Sequence, residues 1–237
     1  MAVPGFLKPL VLPFEPRPAE RHGSVDLYLP DATPPRPAVV FVHGGPVPAD
    51  QTPTPRGWPI FQGYASLVAA RGVVGTVVDH RLHAATDFPR AADDVSQAVE
   101  AVRADPRVDA GRVALWFFSG GGLLLADWLR ARPEWLRCVA ASYAVLGCPP
   151  QYGPRFQPAQ AVAEAGDLPV VLTRVGLERP DIAATVEAFV AAARSGGARL
   201  EIVDVPEGHH AFDMVDDTDE SREAVRRAVD RVVDLLT

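Results

Sequence analysis

Short apolar runs alternate with amphipathic stretches along most of the chain. Ala38 to Val42 is continuous, apolar and β-rich, the pattern of a strand buried on both faces of a parallel sheet. Val73 to Val78, Val113 to Phe118, Cys138 to Tyr143, Pro169 to Thr173 and Leu200 to Val205 also read as strands. Val25 to Leu29 alternates and reads as an edge strand. Helical patterns lie between these runs. One extends from about Phe61 to Arg71, and another runs from Pro89, a residue suited to a first helical turn, to about Ala104. Gly120 to Gly122 lead into a third, stopped by Pro133. Ala183 to Arg194 places Val186, Phe189, Val190 and Ala193 on one face and ends at Gly196 and Gly197. Asp219 to Leu236 closes the chain with a stripe of Val225, Ala228, Val229, Val232 and Leu236.

Residues 46 to 59 carry prolines at 46, 48, 53, 55 and 59, so they form neither helix nor central strand. A loop of that length is often functional. Residues 146 to 158 form a second loop rich in Pro and Gly. Strands alternating with helices predict an α/β fold, a mostly parallel twisted sheet with helices on both faces. The pattern implies one domain over 1–237, with 1–23 as an N-terminal extension, and no internal repeat.

Composition narrows the function classes. With 237 residues, 48% of them hydrophobic and 22% charged, the chain can bury a sizeable core. A net charge of -7 and the lack of any basic run argue against a nucleic-acid partner. The basic residues are almost all Arg, with Lys8 the only Lys, which reads as GC-rich coding and a bacterial origin. Pro4, Pro9 and Pro13 break up the apolar N-terminal segment Met1 to Leu12, which also lacks a basic leader region. No segment has the apolar length to span a bilayer, so the expected location is cytoplasmic, with no membrane partner. Cys138, in an apolar run, is expected in the core, and no disulfide with Cys148 is expected in a reducing compartment.

Parallel sheets carry reactive residues at the carboxyl ends of their strands. Four strand ends here hold polar or glycine-rich groups: His43-Gly44-Gly45, Ser119-Gly120-Gly121-Gly122, Arg174-Val175-Gly176-Leu177-Glu178, and Glu207-Gly208-His209-His210-Ala211-Phe212. A Ser at a tight strand-to-helix turn is either a helix N-cap or an exposed nucleophile. The glycines and the other three strand ends favour the nucleophile. A neutral imidazole is the natural base for it. His43-Gly44-Gly45 can offer backbone N–H groups to a developing oxyanion, although Pro46 removes one potential donor. No Cys, Asp or Glu cluster at ligand spacing accompanies the adjacent histidines, so no metal is expected. The glycines of residues 120–122 lack a Walker Lys, and Cys148 has no matching base near it in sequence.

In the order of these parts, glycine-rich loop, Ser, acid, His, each after a strand, the sequence resembles the α/β-hydrolase superfamily, in its esterase and dienelactone-hydrolase-like branch. The resemblance covers roughly residues 24 to 237. Asp79-His80-Arg81-Leu82 also looks like a scaffold motif of esterases in this superfamily. The resemblance implies an α/β-hydrolase fold with Ser119 as nucleophile. His210-Ala211-Phe212 matches the late His motif, which makes His210 the base and His209 a rim residue. Two positions depart from the family pattern: Phe117 stands two residues before Ser119 where Gly is usual, and Pro46 replaces a third Gly. The oxyanion donors are then Gly45 and Gly120, and His43 is a residue that fixes the loop. Related hydrolases carry Arg, a small residue, Gly, any residue, then Asp. Residues 174–178 match with Glu178 as the acid, and Asp181 remains the alternative, with a helix N-terminus as its other explanation. Arg81, Asp93 and Asp94 are expected to pair in the scaffold, and Trp58, Phe61 and Tyr64 either line the pocket or fill the core.

The space between Tyr143 and Leu168 leaves no room for a large cap domain, so the 46–59 loop and the N-terminal residues are expected to cover the site. The reading is a serine hydrolase cleaving a small-molecule ester or thioester through an acyl-enzyme, without metal or cofactor. Its rivals are a thioesterase or acyltransferase acting on a carrier-bound acyl chain, and a catalytically silent fold that binds a ligand or partner.

Overall fold

The apolar runs fold into an eight-stranded sheet, seen in a computed structural model that describes residues 4–237. Met1, Ala2 and Val3 lie outside the described residues. In chain order the strands are β1 (Ala19–His22), β2 (Val25–Tyr28), β3 (Arg36–Val42), β4 (Val74–Val78), β5 (Val108–Phe118), β6 (Leu136–Ser142), β7 (Val170–Leu177) and β8 (Leu200–His209). The helices are α1 (Pro59–Ala69), α2 (Phe88–Arg103), α3 (Leu125–Ala131), α4 (Pro158–Ala161), α5 (Pro180–Ser195), α6 (Phe212–Val215) and α7 (Asp219–Leu236). The sheet order is β1-β2-β4-β3-β5-β6-β7-β8. The β1–β2 and β2–β4 pairings are antiparallel, and the rest of the sheet is parallel.

Strand alternation divides the core. Val40, Val42, Leu115, Phe117, Val139 and Leu172 pack against α2, α3 and α5 on one face. Val39, Phe41, Trp116, Phe118, Ala140 and Val171 pack against α1 and α7 on the other. Phe117 is therefore an ordinary core residue of β5, fully buried beneath the first of these helical layers. Cys138 is buried, and both cysteines are free.

The structure corrects several expected boundaries. Val25 to Tyr28 is not an edge strand, because β1 pairs outside it and all four residues are buried. The true edge, Ala19–His22, is exposed along its length and carries no apolar signal to reveal it. Its charges make it a poor template for pairing with another chain. In the N-terminal segment before β1, Leu10 and Leu12 are buried in the same cluster as α1. The helix expected to start at the glycines begins instead as a tight 3-10 turn, Ser119–Leu124, before α3.

β7 continues four residues past the expected Thr173 because β8 runs on beside it. Arg174 pairs with Asp204 and Val175 with Val205 in the ladder, and after an irregularity Leu177 lies opposite His209. That register brings the residues after each strand, Glu178 and His210, to the same end of the sheet. Between Tyr143 and Leu168 the chain makes short turns and α4 only, with no inserted cap. Among the described residues, no helix is long and apolar enough to cross a membrane.

β4 and α1 meet at Gly75, where an added Cβ would lie 2.4 Å from the Ala65 carbonyl oxygen and 2.7 Å from its Cα. Because both neighbours are backbone, relief requires moving α1 off the sheet. Gly75→Ala is expected to lose about 1–3 kcal/mol in denaturant unfolding, as overpacked cores do. Gly5→Ala, which meets nothing within 4 Å, is the control and should leave the midpoint unchanged.

Candidate active site

Ser119 follows the last residue of β5 and stands at φ +48, in the left-handed region that non-glycine residues rarely occupy. The turn is held there by the end of β3 lying directly against it. A Cβ on Gly120 would fall 2.2 Å from the Gly45 carbonyl oxygen, and one on Gly121 2.4 Å from that of His43. Only glycine permits this approach.

The Ser119 hydroxyl lies 2.8 Å from His210 Nε2, and His210 Nδ1 lies 2.6 Å from Glu178 Oε2. With Nδ1–H donating to the carboxylate, Nε2 is left to accept the serine proton. Glu178 is held from behind: its Oε1 accepts the Arg179 N–H at 2.8 Å, and its side chain is only 3% exposed. Of the two carboxylates expected near the base, Asp181 goes elsewhere. It pairs with Arg179 at 2.6 Å in the exposed first turn of α5. Ala211, at φ +63, turns the chain immediately after His210. His209 faces away, its N–H donating to Asp216 at 2.7 Å and its ring 3.1 Å from the same carboxylate.

Gly45 and Gly120 sit against one another above this turn. His43 Nδ1–H donates to the Gly44 carbonyl at 2.5 Å. A trans amide points its N–H opposite to its C=O, so the Gly45 N–H is aimed away from the His43 ring. Gly120 is the second residue of the 3-10 turn, where a backbone N–H has no partner within the helix. His43 is buried and stacked on His80, with ring centroids 3.6 Å apart. His80 Nε2–H donates to the His43 carbonyl at 2.9 Å, and the His80 backbone N–H reaches His43 Nε2 at 3.4 Å. Burial pushes the His43 imidazole well below the ordinary histidine range and that of His80 down to about 4, so both are neutral at pH 7. The rest of Asp79-His80-Arg81-Leu82 braces the same region. Leu82 backs Gly45, and its carbonyl accepts the Val47 N–H at 2.9 Å. Asp79 accepts from Thr54 Oγ1 at 2.7 Å and from the Arg56 N–H at 3.1 Å, pinning the proline-rich loop. Arg81 pairs with Asp94 at 2.6 Å, while Asp93 reaches Arg155 instead.

Ser119 and His210 open into a pocket of about 320 Å³. Its walls are Gly44, Gly45, Pro46 and Val47 on one side and Trp58, Ile60, Phe61, Phe118, Tyr143 and Met214 on the others. Trp58 and Phe61 thus line it, whereas Tyr64 belongs to the core. The 46–59 loop contributes Pro46, Val47 and Trp58 to these walls, and the Phe6 ring of the N-terminal turn packs on Trp58 at 5.2 Å. Among the described residues no group of three or more His, Cys, Asp or Glu side chains is placed to hold a metal.

Asp213, which the sequence reading did not single out, lies wholly buried three residues after His210. Its Oδ2 accepts from Tyr64 OH at 2.8 Å and Tyr143 OH at 3.1 Å, while Oδ1 has no partner among the described residues. Burial raises its carboxyl from the usual range to about 7. The available signal was a lone acid between Phe212 and Met214, in an apolar stretch beside a candidate base.

A family model described as BD-FAE matches residues 25–127. No curated protein matches the chain at a significant level. Among solved structures, esterase 2 of Thermogutta terrifontis phosphoramylated by tabun is 20% identical, with a TM-score of 0.71 over 89% of this chain and 88% of that one. EstE1, a thermophilic carboxylesterase cloned from a metagenomic library, is 18% identical, with a TM-score of 0.73 over 96% and 92%. A putative dipeptidyl aminopeptidase IV from Bacteroides ovatus is 18% identical, with a TM-score of 0.68 over 90% of this chain but 33% of its own. At these identities the likeness is one of fold.

The buried acid gives stability a pH dependence of definite sign. Asp213 holds its proton more tightly folded than unfolded, so the folded state binds the extra proton between about pH 4 and about 7. Its contribution is therefore fully favourable at low pH and is lost as pH rises through that window, by on the order of 4 kcal/mol at most. Asp213→Asn removes the titration. Urea midpoints of the two proteins should move apart in favour of the variant as pH rises from about 4 to about 7. Parallel pH profiles would mean that Asp213 does not titrate there.

Proposed function

We propose that this chain, a member of the α/β-hydrolase superfamily, is a serine hydrolase that cleaves small uncharged carboxylic esters through an acyl-enzyme. The observation that carries this reading is the line from Ser119 Oγ through His210 to Glu178, at 2.8 and 2.6 Å. In this mechanism His210 Nε2 takes the serine proton as Oγ attacks the ester carbonyl. Glu178 keeps the proton on Nδ1 and balances the imidazolium that forms. The negative charge on the carbonyl oxygen is received by the N–H groups of Gly45 and Gly120. His210 then returns its proton to the departing alkoxide. Water repeats the sequence to release the acid.

The pocket supports the substrate class. Its volume of about 320 Å³ lies at the small end for ligand sites, and among the described residues its walls hold no Asp, Glu, Lys or Arg. A neutral ester with a compact apolar or aromatic group suits Trp58, Phe61 and Met214. The Thermogutta and metagenomic proteins that share this fold are an esterase and a carboxylesterase, which supports the same substrate class.

Hydrolysis of a series of p-nitrophenyl esters is the test. Ser119→Ala is expected to lose activity by a factor on the order of 10⁶ while remaining folded. Glu178→Gln should lose up to about 10⁴ in kcat. Asp181→Asn, whose carboxylate contacts Arg179 and not the base, should retain wild-type turnover. Full activity in Ser119→Ala would reject the mechanism, and a reversed order of the two acid variants would move the acid to Asp181.

A further inference from the structure

The Asp213 carboxyl is placed for more than stability. It sits in the first turn of α6, on the same short segment as His210, and joins three separate parts of the molecule. Tyr64 comes to it from α1 and Tyr143 from the end of β6. The Asp213 backbone carbonyl accepts the Val11 N–H of the N-terminal arm at 2.8 Å. No Arg, Lys or His pairs with its side chain among the described residues, and one of its oxygens is buried without a partner. Such a group costs stability, so a role beyond packing needs to be sought.

Tyr143 supplies the link. Its backbone stands at φ +39, and its ring lines the pocket with Ser119. The ring meets the His210 imidazole edge-on, with centroids 5.1 Å apart, and also contacts Phe118 and Phe212. Hydrogen bonds to Glu178 and Ser119 hold His210 at its two ring nitrogens, and rotation of the ring about the line joining them is left to its packing. Tyr143 closes this freedom from the side, and the hydroxyl bond to Asp213 sets where the Tyr143 ring stands. Tyr64 shares the same carboxylate oxygen, yet its ring packs on Phe41, Trp116 and Phe118.

We propose that Asp213 is a positioning residue for His210, acting through Tyr143. The proposal rests on the hydrolase reading given above. It separates two tyrosines that bond to the same atom: losing the Tyr143 hydroxyl loosens the base, whereas losing the Tyr64 hydroxyl only weakens the core.

The experiment measures the rate at which a fluorophosphonate adds to Ser119, by intact mass, alongside kcat and KM for a p-nitrophenyl ester. Asp213→Leu and Tyr143→Phe should each slow phosphonylation and lower kcat about tenfold, with KM little changed, and the double variant should be no slower than the slower single one. Asp213→Asn, which keeps an acceptor for the hydroxyl, should restore near wild-type rates. Tyr64→Phe should lower the urea midpoint and leave the phosphonylation rate within about twofold. Equal labelling of wild type, Asp213→Leu and Tyr143→Phe, all folded by circular dichroism, overturns the positioning role and leaves the hydrolase reading intact. Equal slowing by Tyr64→Phe and Tyr143→Phe also overturns it, as does multiplication of the single effects in the double variant. If Asp213→Leu does not fold, the comparison of Tyr143→Phe with Tyr64→Phe decides alone. A wild type that never labels overturns both readings.

Discussion

Where β3 and β5 end side by side, there is no room for a side chain between them. The carbonyls of His43 and Gly45 occupy the space that Cβ atoms on Gly121 and Gly120 would need. Gly44 in turn lies so close to Ser119 that a Cβ there would come within 2.8 Å of the serine Cβ. This backbone-on-backbone contact fixes the turn after β5, holds Ser119 in its left-handed conformation, and sets Gly45 beside Gly120. The residues that reach the serine from β7 and β8 have their own constraint, the ladder that places Leu177 opposite His209. The site therefore depends on two pieces of sheet geometry rather than on any loop.

Buried polar groups keep those pieces in place, and their protonation states follow from burial. His43 and His80 stack as neutral rings and exchange hydrogen bonds with each other's backbone, which locks the strand end that carries Gly44 and Gly45. Two neutral imidazoles avoid the cost of a charge in the interior. Asp213 is treated differently. It receives two hydroxyls and no cation, so the interior disfavours its charge and holds its proton to higher pH. The two arrangements have opposite pH signatures: protonating His80 on acidification works against folding, and so does ionising Asp213 on the way to neutrality.

Much of the architecture was legible in the sequence because parallel strands buried on both faces leave unmistakable apolar runs, and because four of them end in chemistry-bearing residues. The ends of elements were harder to read. β7 and β8 extend through polar residues such as Arg174, Asp204 and Glu207, whose pairing is decided by the neighbouring strand and not by their own propensity. β1 was invisible for the same reason, its four residues being exposed and charged or small. At the site, the sequence order singled out Ser119, His210 and Glu178, and in the structure His210 is within hydrogen-bond reach of both of the others. It left Glu178 and Asp181 competing, because their spacing to His210 depends on the irregularity between Val175 and Leu177. Tyr143 and Asp213 were not legible at all. Their meeting is a contact between residues 70 positions apart, with no local pattern to announce it.

In the proposed reaction Ser119 becomes covalently acylated with His210 as its base. Rapid quenching of the protein with an activated p-nitrophenyl ester, followed by intact-mass measurement and peptide mapping, is the decisive experiment. The expected result is a burst of nitrophenol close to one equivalent per chain and an acyl mass on the peptide holding Ser119. Turnover with no acyl-enzyme at any quench time, or an acyl group found on another residue such as Cys148, would contradict it.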